Sequence, residues 1–195
     1  MARLRRGAFV PLRVLAISGS LRAASSNSAI LRVAARVAPP GIDVEIYEGI
    51  ERLPYFNPDL DREFDDPALP RAVKALRGKI AASDALLISS PEYAHGVSGM
   101  LKNALDWLVG GPEMPGKLVG VINTAPHATH AYAALTETLR TMSVVLVDDA
   151  CVAIAVPRNQ TVDEMEADPA LTEPLRAVLR AIGAAGARAS NHSTQ

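Results

Sequence analysis

Residues 12–37 read LRVLAISGSLRAASSNSAILRVAARV, and the pattern of this stretch changes twice. Its first six residues, 12–17, are mostly apolar, which predicts a buried β-strand. From 28 to 37 the apolar residues recur at helical spacing, which predicts an α-helix that the following Pro39, Pro40 and Gly41 end. The polar loop 18–27 therefore joins the end of a strand to the start of a helix, and anions often bind at such a junction.

The alternation of apolar strands and amphipathic helices continues through the rest of the chain. It predicts strands at 43–48, 84–89 and 118–123, one or two short strands within 144–155, and helices at 69–82, 98–109, 128–142 and 171–182. Thr172 is expected to cap the last helix, with Pro174 in its first turn. Prolines favour a long surface loop over 51–67. The pattern predicts one domain, 1–195, with flexible tails at 1–11 and 184–195.

Strands that alternate with helices are typical of a parallel sheet covered on both faces. Segment 43–48 alternates polar and apolar residues, as an edge strand with one wet face does. These features predict a doubly wound α/β fold whose five-stranded parallel sheet has the order 2-1-3-4-5. In that order ligands bind beyond the carboxyl ends of the strands, at the switch point between strands one and three, where loops 18–27 and 89–98 both lie.

The composition excludes several classes of function. The 195 residues carry a formal net charge of −1, so the overall field favours neither nucleic acid nor an anionic membrane as a partner. No apolar run approaches the roughly 20 residues that span a bilayer, and none has the features of a signal peptide, so a cytoplasmic location is expected. The single cysteine, Cys151, is expected to be a buried and inert thiol.

Two familiar phosphate-binding loops are excluded for residues 18–27. The loop lacks the Gly and Lys pattern that binds nucleoside triphosphates, and it lacks the repeated glycines that let a backbone approach a dinucleotide pyrophosphate. With the free N–H groups of a helix start, its polar side chains would surround a terminal monophosphate. Simple capping of the helix by one of its serines explains the loop equally well. The side chains in question are Ser20, Arg22, Ser25, Ser26 and Asn27.

A second stretch, residues 91–107 (PEYAHGVSGMLKNALDW), favours the phosphate. It matches, at all but two of the specified positions, the motif P-E-Y-N-x-x-x-P-G-x-L-K-N-A-[IL]-D-W of the NAD(P)H-dependent FMN reductases, which include chromate, quinone and azo reductases. The first loop matches the family's G-S-x-R-x-x-S-x-N in full. The chain thus resembles this flavodoxin-like family over about residues 14–182.

The chain departs from the second motif at two positions. Ala94 replaces the usual Asn and removes a side-chain amide beside the flavin edge. Ser98 replaces the usual Pro, and a serine is able to cap the helix that Pro would otherwise start. Neither change removes the expected site, but both are expected to alter flavin affinity or substrate preference.

The resemblance implies FMN as the cofactor and NADPH or NADH as the electron donor. The FMN phosphate would be held by Ser20, Arg22, Ser25 and Asn27, with Ser26 close by. The flavin ring would be lined, largely through backbone amides, by Pro91, Glu92, Tyr93 and Ala94. The loop 124–127, beginning at Thr124, would close the other side of the ring. Because FMN carries the chemistry, no catalytic residue and no metal ligand is assigned.

The family also implies a homodimer or homotetramer, with the helix after the second motif near the subunit interface. Four residues of that helix are therefore assigned to structure and assembly rather than to catalysis: Lys102, Asn103, Asp106 and Trp107. His127 and His130 have a spacing that metal sites use, but they lack nearby Cys or acidic ligands and are not assigned to a metal. His95 and His127 are instead hypothesised to meet substrate above the flavin.

The predicted reaction moves two electrons from NAD(P)H through FMN to a small acceptor by a ping-pong mechanism. Quinones, azo compounds, chromate and free flavin all fit as acceptors. Two alternatives stay open at this point. One is a flavodoxin-like FMN electron carrier that reacts poorly with nicotinamide, and the other is a non-catalytic regulatory protein of the same fold.

Overall fold

The computed structural model describes residues 10–61, 67–157 and 159–192, and of residues 190–192 only the backbone. Most of the expected N-terminal tail, 1–9, lies outside the described residues, as do 193–195 and part of the predicted surface loop, 62–66. The described strands are β1 (Leu12–Ser18), β2 (Ile42–Ile46), β3 (Ala85–Ser89), β4 (Glu92–Tyr93), β5 (Gly96–Val97), β6 (Leu118–Asn123) and β7 (Val145–Ala153). The described helices are α1 (Ser26–Arg36), α2 (Arg71–Ala82), α3 (Gly99–Asp106), α4 (His130–Thr141), α5 (Val162–Ala167) and α6 (Pro169–His192).

Five strands form one parallel sheet in the order β2-β1-β3-β6-β7. Because β4 and β5 pair only with each other as a short antiparallel hairpin, the long strands have the order 2-1-3-4-5, and the predicted flavodoxin-like arrangement is confirmed. Strand β2 lies at the edge, as its alternation predicted, with Asp43 and Glu45 exposed. The chain places β2 on one side of β1 and then adds β3, β6 and β7 on the other side. The switch point therefore lies at the carboxyl ends of β1 and β3.

The sheet separates two apolar cores. Side chains alternate along β1, so that Val14 and Ala16 belong to one core while Leu15 and Ile17 belong to the other. The first core is completed by α1, α5 and α6, and the second by α2, α3 and α4. Covering on both faces explains why β1 and β3 are nearly continuous apolar runs.

The last part of the chain is more helical than the sequence patterns predicted. Helix α6 begins at Pro169 and continues to His192, so the expected flexible tail is helical from 184 to 192. The prediction that Thr172 is the N-cap of this helix is wrong, because Thr172 lies inside it. Asp168 caps the helix instead, because its Oδ1 accepts a hydrogen bond from the N–H of Ala170 at 2.9 Å. Pro169 suits the first helical position, where no N–H is needed, and the alanine-rich sequence continues the helix.

Helix α5 was not predicted, although its signal is present in the sequence. Thr161 and Glu164 form a capping box, in which each side chain bonds the backbone N–H of the other residue. Pro174 lies inside α6 rather than in its first turn. No helix in the described parts of the chain has both the length and the apolarity needed to cross a membrane.

The described part of the predicted surface loop has more structure than expected. Two short 3₁₀ helices, Ile50–Arg52 and Pro58–Leu60, lie at its start and within it, and the side chains of Ile50, just before the loop, and of Leu53 are buried. These apolar contacts join the loop to the second core.

Helix α3 also holds this loop by hydrogen bonds. The carbonyl of Pro54 accepts bonds from Asn103 Nδ2 at 2.9 Å and from Trp107 Nε1 at 2.8 Å. The N–H of Phe56 donates to Asn103 Oδ1 at 2.8 Å. The ring of Phe56 contacts the ring of Trp107 edge to face. These contacts support a structural role for Asn103 and Trp107. Lys102 and Asp106 form an exposed ion pair one turn apart, worth only a few tenths of a kcal/mol.

Strand β7 is one nine-residue strand with a bulge, within the range that the sequence left open. Val119 pairs with Leu146 but Val121 pairs with Cys151, so β7 carries the extra residues. Cys151 is half-buried rather than fully buried as expected. Burial still raises the pKa of its thiol, which keeps the sulfur protonated and unreactive at neutral pH.

Candidate functional site

A cleft of about 710 Å³ lies at the carboxyl ends of β1, β3, β6 and β7, where the doubly wound order predicts a ligand. Four chain segments form its walls: 20–27 after β1, 90–93 after β3, 123–128 after β6, and 155–159 after β7, without 158, which is outside the described residues. Nine of the ten residues that the sequence assigned to a cofactor line this one cleft. They are Ser20, Arg22, Ser25, Ser26, Asn27, Pro91, Glu92, Tyr93 and Thr124.

The loop after β1 both caps the helix and keeps its donors available. Ser25 is the N-cap of α1, because its Oγ accepts a hydrogen bond from the N–H of Ser28 at 3.3 Å. Ser20 stabilises the loop in the same way, by accepting from the N–H of Arg22 at 3.3 Å. The N–H groups of Ser26 and Asn27, in the first helical turn, have no intrahelical partner and point out of the helix start. Capping and anion binding are therefore compatible.

Arg22 has an exposed side chain on the cleft wall. No carboxylate in the described parts of the chain lies within 4.0 Å of its guanidinium, whereas Arg13, Arg36 and Arg77 all form ion pairs. An unpaired guanidinium beside a helix N-terminus has the charge and the forked geometry to bind a phosphate.

Gly19 lets the first two walls approach closely. Its N–H donates to the carbonyl of Ser89 at 2.7 Å, across the switch point. A Cβ at position 19 would lie only 2.5 Å from Ser90 Oγ, so a larger residue would push the two loops apart.

Asn27 is buried and contacts two other walls. Its Oδ1 lies 2.8 Å from Ser89 Oγ, at the end of β3, and 3.2 Å from Thr124 Oγ1, after β6. Thr124 Oγ1 donates to this oxygen, and the single hydroxyl proton of Ser89 is shared between it and the carbonyl oxygen of Ile122, so the carbonyl end of the amide is turned into the protein.

The wall after β3 is a two-residue hairpin. Its central residues, Ala94 and His95, both have positive φ, at 49° and 59°, as a type I′ turn requires. Ala94 does not line the cleft, unlike its neighbours Pro91, Glu92 and Tyr93. The usual Asn at this position therefore has a conformational reason, because Asn adopts positive φ more readily than Ala does.

The side chain of Glu92 is committed to a helix rather than to a ligand. Its Oε2 accepts a hydrogen bond from the N–H of Ala131, in the first turn of α4, at 2.8 Å. Thr129, the N-cap residue of α4, makes no side-chain capping bond, so Glu92 supplies the cap from a distant part of the chain. Glu92 is nevertheless among the residues that line the cleft.

The wall after β6 is shaped by Asn123. Its Oδ1 accepts from the N–H of Ala125 at 3.0 Å and its Nδ2 donates to the carbonyl of Ala128 at 2.9 Å. These bonds turn the segment 124–128 back over the cleft. Thr124 is buried and His127 lines the opening.

The two histidines assigned to substrate differ in position. His127 lines the cleft, but His95 does not. The His95 ring stacks on the ring of His130 instead, with centroids 4.3 Å apart. Within the described residues, no group of three or more His, Cys, Asp or Glu side chains is arranged to hold a metal.

Sequence reasoning missed the fourth wall altogether. Ala155, Val156 and Asn159 follow β7 and line the cleft, and Asn159 has a φ of 63°. The signal was their place after the carboxyl end of the last strand, because all such loops meet at one edge of a parallel sheet. Asn123, at the end of β6, was also missed, although the same signal applies to it.

The residues present fit a flavin mononucleotide. Helix N–H groups without an intrahelical partner and Arg22, which forms no ion pair with the described carboxylates, stand at one end of the cleft, where a phosphate needs them. Among the described residues that line the cleft, Glu92 is the only acidic one, and its carboxylate bonds α4. The other walls offer backbone amides and apolar surface, which suit a flat heteroaromatic ring.

Comparison with known proteins identifies the family. A family model described as NADPH-dependent FMN reductase matches residues 12–157. An NAD(P)H-dependent FMN reductase of Pseudomonas aeruginosa is 43% identical over 104 residues, which cover 53% of this chain and 54% of the relative. A quinone reductase of Escherichia coli is 36% identical over 104 residues, with the same coverage of 53% and 54%. The chain thus matches about half the length of these curated relatives.

A solved structure matches over a longer range. The flavoenzyme FerB of Paracoccus denitrificans, an NAD(P)H:(acceptor) oxidoreductase, superposes with a TM-score of 0.67 at 28% identity. The match covers 88% of this chain and 97% of that one. It extends the similarity beyond the aligned halves of the curated relatives to nearly the whole fold.

Proposed function

The chain belongs to the NADPH-dependent FMN reductase family, and we propose that it is an oxidoreductase that uses bound FMN to move two electrons from NAD(P)H to a small acceptor. The observation that carries this proposal is the meeting of two motifs in one cleft. The polar loop after β1 and the hairpin after β3 are far apart in sequence, yet both line the switch point of the sheet. The loop and the hairpin could each be explained by local structure alone. Because both line the same cleft, they favour a ligand with an anionic end and a flat ring.

The phosphate end is assigned to the start of α1. Ser20, Ser25 and Ser26 offer hydroxyls, the first turn of α1 offers N–H groups, and Arg22 offers a charge that no carboxylate in the described residues neutralises. Asn27 completes this end of the cleft, and its Nδ2 is a donor for which the described residues offer no acceptor. A phosphate monoester with two negative charges suits this set of donors better than a neutral ligand does.

The ring end is assigned to Pro91, Glu92, Tyr93 and Thr124. FMN, when bound, supplies the hydride and electron transfer chemistry. The chain's own residues would orient the ring through backbone amides and exclude water from one side of it. Ala94 would act only through the conformation of the hairpin turn, because its side chain is outside the cleft lining.

Donor and acceptor would use the same open side of the cleft in turn, which predicts ping-pong kinetics. Relatives that are named quinone reductases favour a quinone as the acceptor. Azo compounds, chromate and free flavin are further candidates for this open side. His127, on the rim, is the histidine in position to contact an acceptor.

The test is the visible spectrum of the purified protein, followed by anaerobic titration with NADH and NADPH. We expect a flavin spectrum, either as purified or after addition of FMN, and bleaching by at least one nicotinamide. A protein that holds FMN tightly but is not bleached by either nucleotide would be an electron carrier instead. A protein that does not take up FMN would overturn the proposal.

The proposal includes two further expectations from the sequence, a homodimer or homotetramer and a cytoplasmic location. Size-exclusion chromatography with light scattering tests the first, and fractionation of the source cells tests the second.

A further inference from the structure

Ser89 is a polar residue in a strand that is otherwise apolar. The other residues of β3, from Ala85 to Ile88, are apolar, and Ser89 itself is 0% exposed. It does not line the cleft. A buried hydroxyl is unfavourable unless it is hydrogen-bonded, and an alanine would fit this position with no polar group to satisfy. The hydroxyl therefore needs an explanation in its contacts.

Its contacts lead to Asn27. Ser89 Oγ lies 2.8 Å from Asn27 Oδ1 and 2.9 Å from the carbonyl oxygen of Ile122, so its single proton is shared between these two acceptors. Thr124 Oγ1 donates to the same Asn27 oxygen at 3.2 Å. Two hydroxyls, from the ends of two different strands, thus meet on one side-chain carbonyl in the first turn of α1.

The orientation of the Asn27 amide decides what it offers to an anion. With Oδ1 held by the two hydroxyls, Nδ2 has no partner in the described parts of the chain, and Asn27 lines the cleft. In the reversed orientation Nδ2 would donate to Ser89, Ser89 would donate to Ile122, and the carbonyl oxygen would face the cleft. An anion is attracted by the first arrangement and repelled by the second.

The geometry points to Ser89 as a positioning residue, which, together with Thr124, holds the Asn27 amide so that its Nδ2 donates to the phosphate of FMN. This inference rests on the proposed function, because it takes FMN as the ligand. It also connects the two ends of the cofactor site, since Thr124 belongs to the wall assigned to the ring and Asn27 to the wall assigned to the phosphate.

Riboflavin has the ring of FMN without the phosphate. Comparing the two flavins therefore distinguishes an effect on phosphate binding from an effect on flavin binding in general. We propose to measure dissociation constants for FMN and riboflavin by flavin fluorescence in the wild type, Ser89→Ala, Asn27→Ala and the double variant. Ser89→Ala is expected to weaken FMN binding about tenfold, as loss of an oriented hydrogen bond to a charged group does, and to change riboflavin binding less than about twofold. In the Asn27→Ala background, Ser89→Ala is expected to have no further effect on FMN.

Ser83→Ala is the matched control. Ser83 lies just before the other end of β3, is also buried, and donates its hydroxyl to the carbonyl of Ile80 at 2.8 Å. Its loss removes one buried hydrogen bond far from the cleft, so both flavins are expected to bind as in the wild type. The ³¹P NMR shift of bound FMN is expected to move in Ser89→Ala and not in Ser83→Ala.

Several outcomes would overturn the inference. Equal weakening of both flavins would indicate a general structural role for Ser89, and unchanged or tighter FMN binding would indicate the reversed amide. An effect of Ser89→Ala that persists without Asn27 would mean that Ser89 acts by another route. If Ser89→Ala does not fold, Ser89→Cys, with its weaker donor, is expected to give the same selective loss of FMN. A wild type that binds riboflavin as tightly as FMN would contradict the phosphate site itself, and one that binds neither flavin would overturn the proposed function.

Discussion

The carboxylate of Glu92 caps helix α4 by accepting a hydrogen bond from the N–H of Ala131, 39 residues further along the chain. Glu92 belongs to the hairpin on one side of the cleft, and α4 follows the loop on the other side. The same two elements also contact each other through the stacked rings of His95 and His130. The walls that are assigned to the flavin ring are therefore held together by contacts within the protein that need no ligand.

Removing the Glu92 cap is expected to destabilise the protein. Glu92→Ala leaves the first turn of α4 without a side-chain acceptor and should reduce the free energy of unfolding by about 1 kcal/mol. Urea denaturation followed by circular dichroism measures this. Glu92→Gln keeps an acceptor oxygen and should lose less than half as much. Glu137→Ala, an exposed position on the same helix, should change stability by less than about 0.5 kcal/mol. Equal effects of Glu92→Ala and Glu137→Ala would contradict the cap.

Replacing Arg22 is expected to weaken FMN binding while the fold stays intact. Arg22→Ala removes a charged donor from the phosphate end, and we expect a 10- to 100-fold rise in the FMN dissociation constant, or about 1.5–3 kcal/mol. Arg32→Ala is the control, because Arg32 is exposed on α1 but does not line the cleft. Affinity is measured by quenching of flavin fluorescence, and the fold by thermal unfolding. Unchanged FMN affinity in Arg22→Ala would count against the assigned phosphate end.

Stability is expected to depend on pH through Glu113. Its carboxylate is buried, neither oxygen has a hydrogen-bond partner in the described parts of the chain, and Arg77 Nε is 3.4 Å away. Burial raises the pKa of Glu113, and it outweighs the opposite effect of Arg77. The folded protein thus binds this proton more tightly than the unfolded chain does. The contribution of Glu113 to stability is then full at low pH and is lost as the pH rises from the ordinary glutamate value through the raised pKa.

Glu113→Gln separates this effect from those of other titrating groups. The neutral amide resembles the protonated acid, so the variant should gain stability over the wild type as the pH rises above the ordinary glutamate pKa. Urea midpoints at pH 4, 5, 6, 7 and 8 give the difference between the two proteins at each pH. Glu173→Gln, at an exposed position, should give a flat difference. A flat difference for Glu113→Gln as well would show that its pKa is not raised.

Restoring asparagine at position 94 is expected to stabilise the hairpin. Ala94 has a φ of 49°, where a Cβ is unfavourable and Asn is better tolerated. Ala94→Asn should increase the free energy of unfolding by about 0.5–1 kcal/mol, and Ala94→Gly by a similar amount. Ala81→Asn, on the exposed side of α2, should instead decrease it, because Asn is a poorer helix former than Ala. Thermal melts compare the three variants, and a less stable Ala94→Asn would contradict the turn type.

Local sequence patterns were enough to predict the order of the long strands and the place of the cleft. Apolar runs mark β1 and β3 because both faces are covered, and the Pro and Gly residues at 39–41 mark the end of α1. The patterns were less informative in the last third of the chain. There an alanine-rich segment continues as helix α6, and a capping box begins a helix too short to show a period.

The sequence alone determined that Ser20, Arg22, Ser25 and Asn27 lie at the junction between a strand and the helix that follows it, because caps and periodicity involve residues close together in the chain. Only the tertiary structure decided that Asn27 Oδ1 turns inward. Its partners, Ser89 and Thr124, are 62 and 97 residues away. Such contacts depend on which strand ends meet at the edge of the sheet, and this is set by the packing of the two cores rather than by any local pattern.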